Sequence, residues 1–114
     1  MYRERWLDVG CGTGEWVREM AGYDPDRLVI GMDKDRELCP GWKKEKPSNV
    51  EYVVADARHL PFKNSSLDHV YARILGPFDP DGICRLANEA QRVLSYGTMT
   101  FAVGLGVRFG ESKK

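Results

Sequence analysis

The sequence predicts an α/β fold: a mostly parallel sheet covered by helices, in one domain over residues 1–114. Three observations predict it. Short apolar runs alternate with segments of helical spacing, which implies parallel strands joined by crossovers and buried on both faces. The first run leads into a glycine-rich turn, Gly10-Cys11-Gly12-Thr13-Gly14, that opens a helix. The second and third runs each end in an acid, Asp33 and Asp56.

Taken in order, Arg5–Val9 reads as strand one. Glu15–Ala21 puts Trp16, Val17, Met20 and Ala21 at helical spacing, with Gly22 as the stop. Asp24-Pro25-Asp26 is a turn and Arg27–Met32 a second strand. Asp35–Trp42 has helical character that Pro40-Gly41 must break or shorten. Lys43–Pro47 is a solvated basic run, Val50–Val54 a third strand, Lys63–Ser66 a loop and Leu67–Ala72 a fourth strand. Asp79-Pro80 starts a helix, an N-cap acid followed by proline at the first helical position. That helix carries Ile83, Leu86, Ala87, Ala90, Val93 and Leu94 on one stripe. Ser95-Tyr96-Gly97 is expected to close it before a fifth strand, Thr98–Val103, and a polar tail from Gly104.

The totals set bounds. A chain of 114 residues suits one domain, and 42% hydrophobic with 30% charged residues allows an ordinary core. Lys+Arg and Asp+Glu are 17 each, so no electrostatic footprint for nucleic acid or an anionic membrane is expected. No apolar run approaches ~18 residues, so no membrane span is expected. Met1–Trp6 lacks the apolar core of a signal peptide. Cys11, Cys39 and Cys84 are odd in number and widely spaced, which fits neither a disulfide framework nor zinc and suggests a reducing cytoplasm. His59 and His69 stand apart from any metal-binding pattern and read as structural. Cys11 reads as a small filler of the turn, and Trp6, Trp16 and Trp42 as packing residues.

Parallel sheets bind ligands outside the carboxyl ends of their strands, where strand order reverses. On that rim the sequence places the glycine turn, Asp33, Asp56 and Tyr71-Ala72-Arg73. Glycine lets a ligand approach the backbone, and the helix start behind it offers unpaired N–H groups. A dinucleotide fingerprint fails here, because Glu15 stands where its third small residue belongs and would face a pyrophosphate. A phosphate-cradling loop fails too, since no G-K-[ST] follows. The expected ligand carries a ribose and no pyrophosphate. Asp33 lies 19 residues beyond Gly14, the usual reach to an acid that accepts from ribose hydroxyls. Asp56 can accept from an adenine amino group, and the Ala57 N–H can meet a ring nitrogen.

Five segments carry a resemblance: Leu7–Gly14 (LDVGCGTG), Val29–Asp33 (VIGMD), Val53–Phe62 (VVADARHLPF), Ser66–Tyr71 (SLDHVY) and Arg92–Thr98 (RVLSYGT). In this order and spacing the chain resembles the class I S-adenosylmethionine-dependent methyltransferases, particularly the small-molecule group related to the ubiquinone/menaquinone C-methylase. The resemblance implies a Rossmann-like core of strand order 3-2-1-4-5, S-adenosylmethionine as cofactor and a small-molecule acceptor. It implies that Gly10 and Gly12 give clearance to the methionine part and that Asp8 orients the ammonium group through water. Asp33 would bind ribose, Asp56 and Ala57 adenine, and Leu60 would pack near the base. Arg73 and Ile74 would face the methyl group or substrate, Arg73 as part of the cofactor site. Glu89 would be structural. Neither the acceptor nor a catalytic base is implied.

The chain departs from the family pattern at Ser95-Tyr96-Gly97-Thr98, where lysine, proline and two glycines are usual, and at Ile74–Phe78, where a His pair is common. It is also expected to lack most of the usual hairpin of strands six and seven. Strand five would then be an open edge, and a homodimer or a partner protein is expected to cover it. Two readings stay open. One is a methyltransferase acting on a small molecule; the other is a shortened, non-catalytic module that binds the cofactor or a partner.

Overall fold

Alternation along β1 (Glu4–Val9) sets the plan of the molecule. Leu7 and Val9 face one side of the sheet, Trp6 and Asp8 the other. The computed structural model describes residues 2–75 and 79–104, with side chains described at 2–72 and 79–95. After β1 come α1 (Glu15–Gly22), β2 (Arg27–Asp33), α2 (Cys39–Trp42), β3 (Val50–Val54), β4 (Leu67–Leu75), α3 (Pro80–Val93) and β5 (Leu94–Gly104).

The strands pair in the order β3-β2-β1-β4-β5, as expected, and every pairing is parallel. β1 is central: Val9 lies opposite Met32 on β2 and Ala72 on β4. The order reverses between β1 and β4, so the connections leaving them diverge and open a crevice at their carboxyl ends. On one face Leu7, Val9, Ile30, Met32 and Val70 pack with Leu86, Ala90 and Val93 of α3. On the other, Val29 and Val50 pack with Val17 and Ala21 of α1 and with Trp42.

Two stretches differ from expectation. The segment after β2 is a 3₁₀ turn, Arg36–Leu38, running into the four-residue α2. Pro40 sits in the first turn of α2, where a missing N–H breaks no intrahelical bond. Ser95-Tyr96-Gly97 is not a closing loop: β5 begins at Leu94, directly after α3. Leu67 pairs with Leu94 but His69 with Thr98, so a bulge absorbs the extra length without ending the pairing. The Ser95 hydroxyl donates to the Leu67 carbonyl at 3.2 Å and ties the bulge to β4. Expectations about Arg73 and Ile74 side chains, Gly76–Phe78 and the tail after Gly104 concern groups outside the described residues.

Asn49 is buried just before β3. Its amide nitrogen donates to the carbonyls of Ala21 (2.9 Å), Asp24 (3.2 Å) and Arg27 (2.9 Å). Its two hydrogens are shared among three carbonyls, so one side chain ties together the end of α1, the following turn and the start of β2. On the α1 face, Trp6 contacts both the Arg27 guanidinium, 3.7 Å from its ring centroid, and the His69 ring at 4.7 Å. Trp16 stacks on Tyr71 at 4.5 Å. Burial, and then the Arg27 charge, hold the His69 pKa below its ordinary value.

Asn49→Ala should destabilise the domain by about 2–3 kcal/mol, since several carbonyls lose their donor; urea unfolding measures it. The fold favours neutral His69, so the unfolded chain binds the proton more readily. The stability this residue contributes is complete above pH ~6.5 and falls as pH drops through that value toward the lower folded pKa. His69→Phe should therefore flatten the dependence of Tm on pH between about 5 and 7, read by thermal unfolding across a pH series.

Candidate functional site

The turn after β1 is built from left-handed glycines. Gly10, Gly12 and Gly14 have φ of +80°, +58° and +89°. A Cβ at Gly12 would meet nothing within 4 Å, so conformation alone selects glycine there. Gly14 is needed for a second reason: a Cβ would collide with the Tyr52 hydroxyl and lie 3.0 Å from the ring. Tyr52 reaches across from β3, stacked on Trp42 with 4.9 Å between ring centroids. Burial pushes its phenol pKa up, against the opposing hydrogen bond and charge of Arg18; Cys11 and Asp8 raise it further.

The turn's own polar groups are fixed from neighbouring elements. Gly10 N–H and Cys11 N–H donate to the Met32 carbonyl at 2.7 and 2.9 Å. Gly12 N–H donates to Asp33 Oδ2 at 3.0 Å, and Trp42 Nε1–H donates to the Gly12 carbonyl at 2.8 Å. The other Asp33 oxygen accepts from Asp35 N–H at 3.1 Å. Asp33 is thereby held in place by one amide from each of two loops.

Gly10 and Asp33 form one side of a cleft of about 390 Å³ at the carboxyl rim, with Asp56 and Ala57 in its wall as well. Val9, Met32, Ala55, Ala72, Ile83 and Leu86 supply apolar surface. Asp33, Asp56 and Asp79 line the cleft with Lys34 and Arg58, three carboxylates against two cations. Such a wall opposes a diphosphate and suits a neutral or cationic ligand. The Asp56 carboxylate holds Arg58 as a two-pronged ion pair: Oδ1 accepts from Nε at 3.2 Å and Oδ2 from Nη2 at 2.9 Å. The Arg58 hydrogen bonds keep the Asp56 carboxyl well below the usual carboxylate range.

Four of the sequence-predicted site residues therefore meet: Gly10, Asp33, Asp56 and Ala57. Gly12 stands behind the wall and acts by shaping the turn. Asp8 is fully buried beneath the turn, flanked in register by Gly31 and Tyr71, and is not part of the wall. Leu60 is buried in the core near α3 and is likewise absent from the wall. Arg73 follows Ala72 at the carboxyl end of β4, its side chain outside the described set. Sequence reasoning missed Arg58 and Tyr52; Trp42, read as a packing residue, does pack on Tyr52, and its hydrogen bond to Gly12 was not foreseen. Only Arg58 left a signal, a cation two residues after an acid. Among the described residues, no group of His, Cys, Asp and Glu could hold a metal, and no helix is long and apolar enough to cross a membrane. None of the three cysteines is in a disulfide; Cys11 is buried and Cys84 exposed.

A family model described as a methyltransferase domain matches residues 7–97. The chain belongs to this methyltransferase family. Demethylmenaquinone methyltransferase of Staphylococcus aureus is 35% identical over 96 residues, covering 82% of this chain and 39% of that protein. The biotin biosynthesis bifunctional protein BioHC of Cellvibrio japonicus is 29% identical over 104 residues, covering 91% and 20%. The chain thus spans well under half the length of these curated relatives. Among solved structures, the PH0226 protein of Pyrococcus horikoshii aligns with a TM-score of 0.69 at 29% identity, covering 88% of this chain and 50% of that one. A Haloferax volcanii structure, a complex of the Trm112 methyltransferase activator with a methyltransferase, aligns with a TM-score of 0.77 at 24% identity, covering 90% and 45%, and so shares the fold.

Glu89 and Arg92 tie α3 to the segment that follows β3. Glu89 Oε1 accepts from the N–H of buried Leu60 at 2.9 Å. Arg92 donates to the Leu60 and Phe62 carbonyls at 2.9 and 2.8 Å, and its Nε to Glu89 Oε2 at 2.8 Å. The Arg92 hydrogen bonds hold the Glu89 carboxyl below its ordinary value. Helix α3 so anchors the loop that carries Asp56 and Ala57, the structural role expected of Glu89. Glu89→Leu strands the Leu60 N–H and should cost about 1–3 kcal/mol. Amide hydrogen exchange should rise selectively over residues 55–62, a change that mass spectrometry resolves.

Proposed function

We propose that this methyltransferase domain binds S-adenosylmethionine in the carboxyl-rim cleft and directs its methyl group to a small-molecule acceptor. The supporting observation is the meeting of Gly10, Asp33, Asp56 and Ala57 in one cleft whose wall carries an excess of carboxylates. The donor set fits the cofactor: Asp33 accepts from ribose hydroxyls, Asp56 from the adenine amino group, and the Ala57 N–H serves a ring nitrogen. Gly10 leaves backbone clearance for the amino-acid portion. Arg73 joins the same rim through its place at the end of β4. When bound, the cofactor supplies a methyl group made electrophilic by a sulfonium. The chain's part is to orient and desolvate it, and alignment of this kind can contribute roughly 7–11 kcal/mol in favourable cases.

Two further elements belong to this reading. Three cysteines outside any disulfide, with Cys84 exposed, suit a reducing cytoplasmic setting. β5 is the outer strand of the described sheet, and we place a second copy or a partner protein along it.

Isothermal calorimetry with S-adenosylmethionine and S-adenosylhomocysteine tests the proposal. The wild type should bind both, and Asp33→Ala should bind at least about tenfold more weakly, with thermal unfolding confirming that the variant is folded. Absence of binding by the wild type, or unchanged affinity in folded Asp33→Ala, would overturn it. Sedimentation of the same samples reads whether β5 is covered by a second copy. Transfer of a labelled methyl group to a panel of small molecules then identifies the acceptor.

A further inference from the structure

The feature that the family reading leaves unexplained is Arg58. It lies in the cleft wall and directs both its backbone and its side chain at one acid. Asp56 Oδ1 accepts from Arg58 N–H at 2.8 Å and from Nε at 3.2 Å, while Oδ2 accepts from Nη2 at 2.9 Å. A carboxylate offers about four acceptor positions. Three are taken by one residue, which leaves a single position on Oδ2. The guanidinium fork is planar and fixes the plane of the carboxylate it grips.

We propose that Arg58 is a positioning residue that aims the last acceptor position of Asp56 at the edge of the bound base, so that the cleft selects a base bearing an amino group over one bearing a carbonyl there. This rests on the cleft being a nucleoside site, as proposed above. The logic is one of complementarity. A carboxylate with one free acceptor position gains a hydrogen bond from an exocyclic amine and repels a carbonyl oxygen. The ionised carboxylate is an acceptor only, and the Arg58 hydrogen bonds extend that state further into acid than a free aspartate would hold it. Without Arg58 the carboxylate is free to rotate, and its remaining acceptor positions lose their fixed direction.

The experiment compares S-adenosylhomocysteine with S-inosylhomocysteine, which carries oxygen in place of the amino group, by calorimetry on the full chain. The wild type should prefer the adenosyl compound by about tenfold or more. Arg58→Gln should shrink that preference severalfold, chiefly by binding the inosyl compound relatively better. A carbon-13 titration of the Asp56 carboxyl, read without ligand, should show a midpoint below the ordinary range in the wild type and a return to it in Arg58→Gln. An equal loss of affinity for both compounds, with the preference intact, would make Arg58 merely structural and overturn the proposal. Tighter adenosyl binding by Arg58→Gln would make Arg58 a plug and overturn it as well, as would identical carboxyl titrations. A wild type that binds both compounds equally overturns the role of Arg58 alone. A wild type that binds neither overturns the nucleoside reading and this inference together.

Discussion

The rim of this domain depends on the capture of both backbone polar groups of Gly12. Its N–H is taken by Asp33 from the end of β2, and its carbonyl by the Trp42 indole from α2. A glycine turn left to itself would sample many conformations, because glycine has the widest backbone freedom. Here a charge-assisted bond from one side and an indole bond from the other select one conformation. The acid that does this also lines the cleft, so scaffold and site share a side chain. The turn can keep its shape only while Asp33 keeps its place, and Asp33 keeps its place through Asp35 N–H.

The two sides of the cleft are built by different means. The β1–β2 side is rigid because its peptide groups are bonded to adjacent strands. The far side is a crossover without helix, residues 55–66, and a segment of that kind has few internal bonds to hold it. The deficit is supplied from α3. Glu89 and Arg92 take the Leu60 N–H and the Leu60 and Phe62 carbonyls, while Ser65 N–H donates to the Arg92 carbonyl at 2.9 Å. Burial of Leu60 in the core adds an apolar anchor. Asp56 and Ala57 therefore sit on a loop whose downstream end is pinned to the core.

Much of this was legible in the residues. The apolar runs defined the strands because parallel strands are buried on both faces, and Val50–Val54 matches β3 at both ends. The convergence of Gly10, Asp33, Asp56 and Ala57 followed from topology, since parallel strands bring their carboxyl ends to one rim. What escaped was contact across long sequence separation or competition for one group. The indole of Trp42 lies 30 residues from Gly12, in a segment whose helical pattern a proline interrupts. Asp56 suits a ligand amine or a neighbouring arginine equally well by composition, and only coordinates show Arg58 gripping it. Ser95-Tyr96-Gly97 has the composition of a turn, yet a bulge in the β4–β5 pairing absorbs it as strand.

The third glycine of the turn shows how a ligand motif can encode packing. Read as a fingerprint, G-x-G-x-G differs from the dinucleotide pattern in where its last glycine falls, and the difference looks like a matter of what is bound. In the fold, the reason for Gly14 lies elsewhere. Its φ of +89° and the Tyr52 hydroxyl beneath it both exclude a side chain. Tyr52 is also packed over Gly31, where a Cβ would lie 2.8 Å from the ring, and it is backed by Trp42. Gly14, Gly31, Tyr52 and Trp42 thus form one packed unit, and Trp42 in turn holds Gly12. The spacing of the glycines is set as much by an aromatic ring on the third strand as by anything in the cleft. A larger residue at 14 is compatible with this fold only if position 52 shrinks and the turn finds another way to reach its left-handed conformation.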